Sequence, residues 1–406
     1  MLRVKKRNFF VRFSRFNRNR RKLKLSRPLK YSRFHLGYFV AVFCIFTLSF
    51  ATVFSTITNG VHVTAPIKPI STVSTNGKVG SSSPVGAVTA ETIAAGKETT
   101  GKVSASSIKG TKTIPAKPGW VNKPLYTDPN NSAAQYVTQN PDVEGINYIA
   151  RMSKYPVAEW FGDWNSNVKN DVNSYVSKAT ASGSVPVVVV YNIPNRDCGG
   201  YSIGGATAIT GYAQWVQQVA AGIGNRTAVV VLEPDALGAL DCLPTSLQPE
   251  RTQSIAQAVT TLKANSQTSV YIDAGTPVWQ PAKVMATRLN SANVAAADGF
   301  SINVSYFATT ASNRVYGDQL SSLIGYKHYV IDTSRNGSSN AVTGMQCNPS
   351  FASLGNTPTT NTSSALNDAL LWIKIPWESD GPCNGSPAPG VGYWSYAIQL
   401  AQRAGW

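Results

Sequence analysis

Histidine is almost missing from this chain of 406 residues: there are three, His35, His62 and His328. The first lies in a basic arm, the second in a Ser/Thr-rich stretch and the third inside an apolar run, which argues against a Ser-His-Asp triad. Cysteine is sparse too. No pair of the five has the close spacing of a zinc knuckle, and no glycine-rich nucleotide loop of standard spacing is present. There is no internal repeat. Acidic residues are absent from the first 90 positions, Glu91 being the first, whereas residues 1–35 hold 14 Lys or Arg.

That asymmetry explains the formal charge of +17. The remaining 23 basic residues face all 20 acidic ones, so the rest of the chain carries only about +3 and has no charge signature of a nucleic-acid binder. A nucleic-acid role would rest on the arm alone. Residues 1–37 read instead as a cytoplasmic arm, because the run that follows, 38–57, has no charge and the 20-residue length that crosses a bilayer. A cleavable signal peptide is the alternative, and it would make the protein secreted. The small residues Val63–Ala65 make a poor cleavage site, because Pro66 follows. The expectation is a retained, single-pass signal anchor in the cell membrane with the rest of the chain outside. Residues 58–118 are rich in Ser, Thr, Gly, Ala, Lys and Pro, which cannot bury enough surface to fold and read as a flexible linker. Cys44 falls in the anchor. Cys198, Cys242, Cys347 and Cys383 remain on the exported side, where three disulfide pairings are open to them.

Residues 119–406 read as one α/β domain. Short apolar runs at Ala158–Phe161, Val185–Val190, Ala228–Leu232, Val270–Ile272, Phe300–Val304, His328–Ile331 and Leu371–Ile375 alternate with helical stretches such as Tyr212–Gly222, Gln253–Asn265 and Tyr396–Arg403. Seven parallel strands suggest a closed or nearly closed barrel. Polar residues cluster just after these runs: VVVV leads into YNIPNRDC, AVVVL into EPDALG, and LWIKI into PWESDG. Parallel strands bring such ends to one mouth, the face where barrel enzymes hold their active sites. Seven carboxylates would meet there: Asp197, Glu233, Asp235, Asp273, Asp332, Glu378 and Asp380. Asp235 alone could equally be a helix N-cap. Carboxylates without histidine or metal suit glycosidic hydrolysis, in which one carboxyl protonates the leaving oxygen while water attacks the other face of the sugar. Trp160, Trp164, Trp279, Trp372, Trp377 and Trp394 could offer flat faces to sugar rings. Trp160 and Trp279 are the better candidates because they lie at or just after strand ends.

The motifs VVVVYNIPNRDCGGYS, VVVLEPDALGALDC, YIDAG, INVSY, YVIDTSRNG, CNP and LWIKIPWESDGPCNGSPAPG, in this order, resemble glycoside hydrolase family 6, the family of endoglucanases and cellobiohydrolases. The resemblance implies a distorted seven-stranded barrel, inverting cleavage of β-1,4-glucan, and no metal or cofactor. It assigns Asp235 as general acid, Asp197 as the carboxylate that supports it and helps hold the catalytic water, and Asp380 as candidate base with water-relayed transfer as the rival. Tyr191 would press on the distorted sugar. Trp160, Asp273, Trp279, Asn303, Lys374 and Glu378 would bind substrate. It also implies the disulfides Cys198–Cys242 and Cys347–Cys383. Thr276, Gln346 and Trp377 depart from the family's usual residues and would alter the cleft wall. Loops that look short favour endo cleavage by a monomer. The alternative is a non-catalytic, membrane-anchored polysaccharide-binding protein.

Overall fold

A computed structural model describes residues 113–339 and 346–406. The basic arm, the expected anchor and all but the last six residues of the expected linker lie outside the described residues. Among those described, no helix is long and apolar enough to cross a membrane.

Seven parallel strands form one sheet in chain order: β1 (Glu159–Phe161), β2 (Val187–Val190), β3 (Ala228–Leu232), β4 (Thr268–Asp273), β5 (Gly299–Ile302), β6 (His328–Asp332) and β7 (Asn367–Leu371). Helices α1 (Ser132–Gln139) and α2 (Ile146–Met152) precede the sheet, and α8 (Trp394–Arg403) closes the chain. Between strands lie α3 (Val168–Ala181), α4 (Ile209–Ile223), α5 (Gln248–Lys263), α6 (Ala282–Ser291) and α7 (Thr310–Leu323). Strand alternation sorts the side chains into two cores. Val188, Val190, Val230, Leu232, Ile272 and Ile302 pack against the helices, whereas Val187, Val189, Val229, Val231, Tyr271 and Val330 fill the interior. Each such side chain contributes roughly 1.5–3 kcal/mol through removal from water. Where α3 crosses α4, a Cβ on Gly222 would sit 2.7 Å from the Lys169 carbonyl oxygen, so only glycine permits that approach.

Two expectations need correction. The sheet curls into a half-barrel and does not close into a full ring. β1 has only three residues, and the pairing order runs from β1 to β7 without a ladder joining them among the described residues. The Ala158 N–H to Trp372 carbonyl bond of 3.0 Å links the two margins, and the Trp160 indole N–H donates to the Ile373 carbonyl at 2.8 Å. The seventh strand is Asn367–Leu371, four residues earlier than the apolar run suggests. Its polar start is fully buried, and Asp368 there accepts from the Tyr271 hydroxyl at 2.7 Å and pairs with the His328 ring at 2.8 Å. The apolar residues Trp372 and Ile373 continue past the ladder towards the mouth.

The ordered domain also begins before residue 119. The Pro115 carbonyl meets His328 Nε2 at 3.0 Å, and Lys117 donates to the Asn367 carbonyl at 3.0 Å, so 115–117 straps the floor at the N-terminal strand ends.

Candidate active site

The strand ends open into a cleft of about 1000 Å³. Tyr191, Asp197, Asp235, Asp380, Trp160, Trp279, Lys374 and Glu378 all line it. Trp164 joins them at the rim, 53% exposed, with Arg196 lying 5.1 Å from its ring centre. Trp279 lies against Gly238 and Gly275, where a Cβ on Gly238 would come within 2.9 Å of the indole. Three of the six tryptophans therefore face the cleft. Trp372 and Trp377 are core residues, and Trp394 stacks on Tyr136 away from the cleft lining.

Of the seven carboxylates expected at the rim, four line the cleft. Glu233, Asp273 and Asp332 are buried behind it and bind backbone. Asp273 Oδ1 accepts from the N–H groups of Asp235 and Gly275, each at 2.9 Å, and Oδ2 accepts from the Ser301 hydroxyl at 2.9 Å. Asp332 likewise accepts from the N–H groups of Ser334, Ser305 and Lys374. Asn303, fully buried with φ of 69°, donates to the Asp332 carbonyl at 2.8 Å and accepts from the Ala308 N–H at 3.0 Å. Asp273 and Asn303 thus lie outside the cleft lining. Of the three departures, only Gln346 lines the cleft; Thr276 and Trp377 are each 1% exposed.

Turns follow β3 where a helix was expected, which leaves Asp235 without a helix to cap. Its φ is 68°, and Glu233 before it has φ of 51°. Burial is the first cause pushing the Asp235 carboxyl well above the ordinary carboxylate range, and the charges of Asp273, Asp197 and Asp380 add to it. Asp197 is also raised, by burial first and by Asp380, against the downward pull of the Ser202 N–H at 2.6 Å and of Arg196. Asp380 goes the other way. Burial pushes it up, but Arg335 at 2.8 Å and Lys374 at 3.9 Å together hold it below the ordinary value, and the Asn348 N–H donates to it at 3.0 Å. Burial raises Glu378 to about 7 despite Lys374.

Sequence reasoning missed the arginines. Arg335, fully buried, anchors Asp380, and Arg196 donates to the Tyr191 carbonyl at 3.0 Å and to Asp163 at 2.7 Å. Both stand beside quoted acids, in NRDC and DTSRNG, so the signal was present. Cys198 is bonded to Cys242 and Cys347 to Cys383, the pairing the resemblance implies, and both bridges sit in loops of the cleft wall. Among the described residues, no group of three or more His, Cys, Asp or Glu is placed to hold a metal ion.

The arrangement can keep one carboxyl protonated beside another held ionised, in a cleft walled by indoles. Residues 116–404 match the family model described as Glycosyl hydrolases family 6. Endoglucanase A of Thermobispora bispora is 43% identical over 291 residues, which are 70% of this chain and 63% of that protein. Endoglucanase 1 of Streptomyces halstedii is 41% identical over 293 residues, 70% of this chain and 88% of that protein. Among solved structures, the endoglucanase Cel6 from Mycobacterium tuberculosis, in complex with methyl-cellobiosyl-4-deoxy-4-thio-β-D-cellobioside, is 41% identical with a TM-score of 0.68. That match covers 71% of this chain and 99% of that one. The chain belongs to glycosyl hydrolase family 6.

Proposed function

We propose that this protein hydrolyses β-1,4-glucosidic bonds of cellulose or a related β-glucan, cutting within the chain and inverting the anomeric centre. The observation that carries the proposal is that Asp235 and Asp380 line one cleft in opposed environments: burial and neighbouring carboxylates raise Asp235, whereas Arg335 at 2.8 Å and Lys374 at 3.9 Å hold Asp380 low. Asp235 gives its proton to the leaving oxygen. Asp197 supports that proton and holds the attacking water, and Tyr191 and Trp160, in edge-to-face contact at 5.2 Å, shape the sugar site. Asp380 already accepts from Arg335 and Asn348 and is held below the ordinary pKa range, which makes it a weak base. This favours proton relay through water over direct abstraction. The endo mode is supported by rim residues that line the cleft yet stay open to solvent, Tyr201, Ile203 and Val391 among them, and by the names of the two bacterial relatives. The non-catalytic reading gains no support from a cleft that keeps its acid.

The test follows product configuration by NMR on cello-oligosaccharides, together with viscosity loss of a soluble cellulose derivative. Initial α-anomer and an early fall in viscosity are expected, and Asp235→Ala should lose about 10²–10⁴ of the rate. A β-anomeric first product or an active Asp235→Ala protein would sink the assignment. We further propose that residues 38–57 hold the enzyme in the membrane. Activity should sediment with membranes and become soluble when residues 1–57 are deleted; activity that is soluble from the full chain refutes the anchor.

A further inference from the structure

The same turn that presents Asp235 buries a second carboxylate for which the proposed chemistry has no use. Glu233 is 1% exposed and points away from the cleft, into the loop that joins β2 to Asp197. Its Oε1 and Oε2 accept from the Asn192 N–H at 3.0 and 3.1 Å, and Oε2 accepts from the Ile193 N–H at 3.0 Å. Arg251 of α5, 4% exposed and itself among the residues lining the cleft, donates through Nη2 to the Pro194 carbonyl at 2.6 Å and the Asn195 carbonyl at 3.2 Å. Four consecutive residues, 192–195, are therefore gripped by two buried side chains, the N–H groups of the first two by a carboxylate and the C=O groups of the last two by a guanidinium. Charged partners make the strongest hydrogen bonds to backbone. Tyr191 lies immediately before this stretch, and Asp197 lies two residues after it. The loop needs such restraint, since Asn195, Asp197 and Cys198 all have positive φ, a region costly for residues with side chains.

We propose that Glu233 is a positioning residue of the reaction: with Arg251 it clamps the backbone of 192–195 and so sets where Tyr191 and Asp197 meet the sugar and the attacking water. The inference rests on the proposed hydrolysis. Glu233 is buried and does not line the cleft. It acts only through the loop, on the side of the reaction opposite the proton donor. Glu233 and Asp235, separated by Pro234, both take left-handed φ, yet the contacts show one side chain turned into the loop and the other at the cleft. Arg196 holds the same loop independently, through the Tyr191 carbonyl, so loss of Glu233 should loosen the loop and leave the domain folded.

The test compares the whole protein, Asp235→Ala and Glu233→Gln on cellotetraose and on 2,4-dinitrophenyl β-cellobioside, whose leaving group departs without a proton. The amide of Glu233→Gln sets an N–H group against backbone N–H donors. Its kcat should fall about tenfold to a hundredfold, the rate equivalent of a charged hydrogen bond, with KM within about twofold. The loss should be equal on both substrates, whereas Asp235→Ala should recover most of its rate on the activated one. In an Asp197→Asn background the Glu233→Gln substitution should add little. Melting temperatures establish that each variant is folded; if Glu233→Gln is not, Arg251→Gln, which removes the opposite grip, must give the same pattern. A folded variant with unchanged kcat overturns the inference. So does a loss that disappears on the activated substrate, which would place Glu233 behind the acid instead. If the unmodified protein cleaves neither substrate, the proposed hydrolysis itself fails and the inference falls with it. If the unmodified protein and Asp235→Ala behave as stated and only Glu233→Gln does not, the inference alone is wrong.

Discussion

A carboxylate's position after a strand end says that it is near the mouth and not which way it turns. Asp197, Asp235, Glu378 and Asp380 reach the cleft, while Glu233, Asp273 and Asp332, equally well placed in the chain, turn back to bind backbone N–H groups. The turns that carry them take backbone angles, such as the positive φ shared by Glu233 and Asp235, which non-glycine residues adopt too seldom to be read from their identity, so the direction of each side chain stays hidden in the sequence. Motif order pointed to the residues that line the cleft; it could not separate a side chain that faces the cleft from one that binds the main chain. The raised Asp235 carboxyl has a consequence for pH. In the proposed role of proton donor its protonated form is the active one, so kcat/KM should hold at pH values below the raised pKa and decline as pH rises through it. Asp197 is one of the charges that raise it. In Asp197→Asn the residual activity should therefore lose its alkaline limb at lower pH than in the unmodified protein. An unmoved limb in the pH–rate profile would show that the proton lies elsewhere.

At the level of elements, β2, β3 and β6 were legible because continuous β-branched runs have no other stable home in an α/β domain, and α4, α5 and α8 because their apolar spacing matches one buried face. β7 was misplaced because its first two residues are Asn367 and Asp368, and polar residues rarely enter a buried strand unless partners wait for them. For Asp368 the partners come from distant elements, Tyr271 of β4 and His328 of β6, and Lys117 of the strap holds the Asn367 carbonyl. The His328 ring faces an acceptor at each nitrogen, Asp368 at 2.8 Å and the Pro115 carbonyl at 3.0 Å, so both are satisfied only when the ring is protonated. Burial pulls its pKa down, but the hydrogen bond to and charge of Asp368 and the Pro115 carbonyl raise it overall, with Lys117 opposing. A raised folded-state pKa gives stability that is complete below the unfolded value of about 6.5 and is lost as pH rises through the folded one. The denaturation midpoint should thus fall on going from pH 6 to pH 8. Glu233, Asp273 and Glu378, raised to about 7, titrate in the same sense, so the measurement that isolates His328 is the difference from His328→Asn, which should show a smaller fall. Equal falls in both proteins would mean that the ring carries no such charge.

Across the whole molecule, strand number, parallel order and the placement of the cleft at one face followed from alternation alone, since seven buried strands with intervening helices leave few other solutions. Closure did not follow, because it depends on how far β1 extends, and β1 is the shortest strand of the sheet. The six ladders tie the sheet together, but its two margins are joined by the Ala158–Trp372 bond and the Trp160 indole. A backbone hydrogen bond of that kind contributes about 1 kcal/mol net, so this seam should part far more often than any ladder breaks. The Ala158 amide should exchange with solvent deuterium well ahead of those of Val188–Val190, and equal protection would show the margins to be fused. Trp160 stands on one lip of the seam, with Lys374 and Glu378 just beyond β7 on the other. Each parting would widen the groove along its length while Asp235, in the turn beyond β3, stays still, which would let the protein breathe around a thick or substituted polymer without disturbing the proposed proton donor.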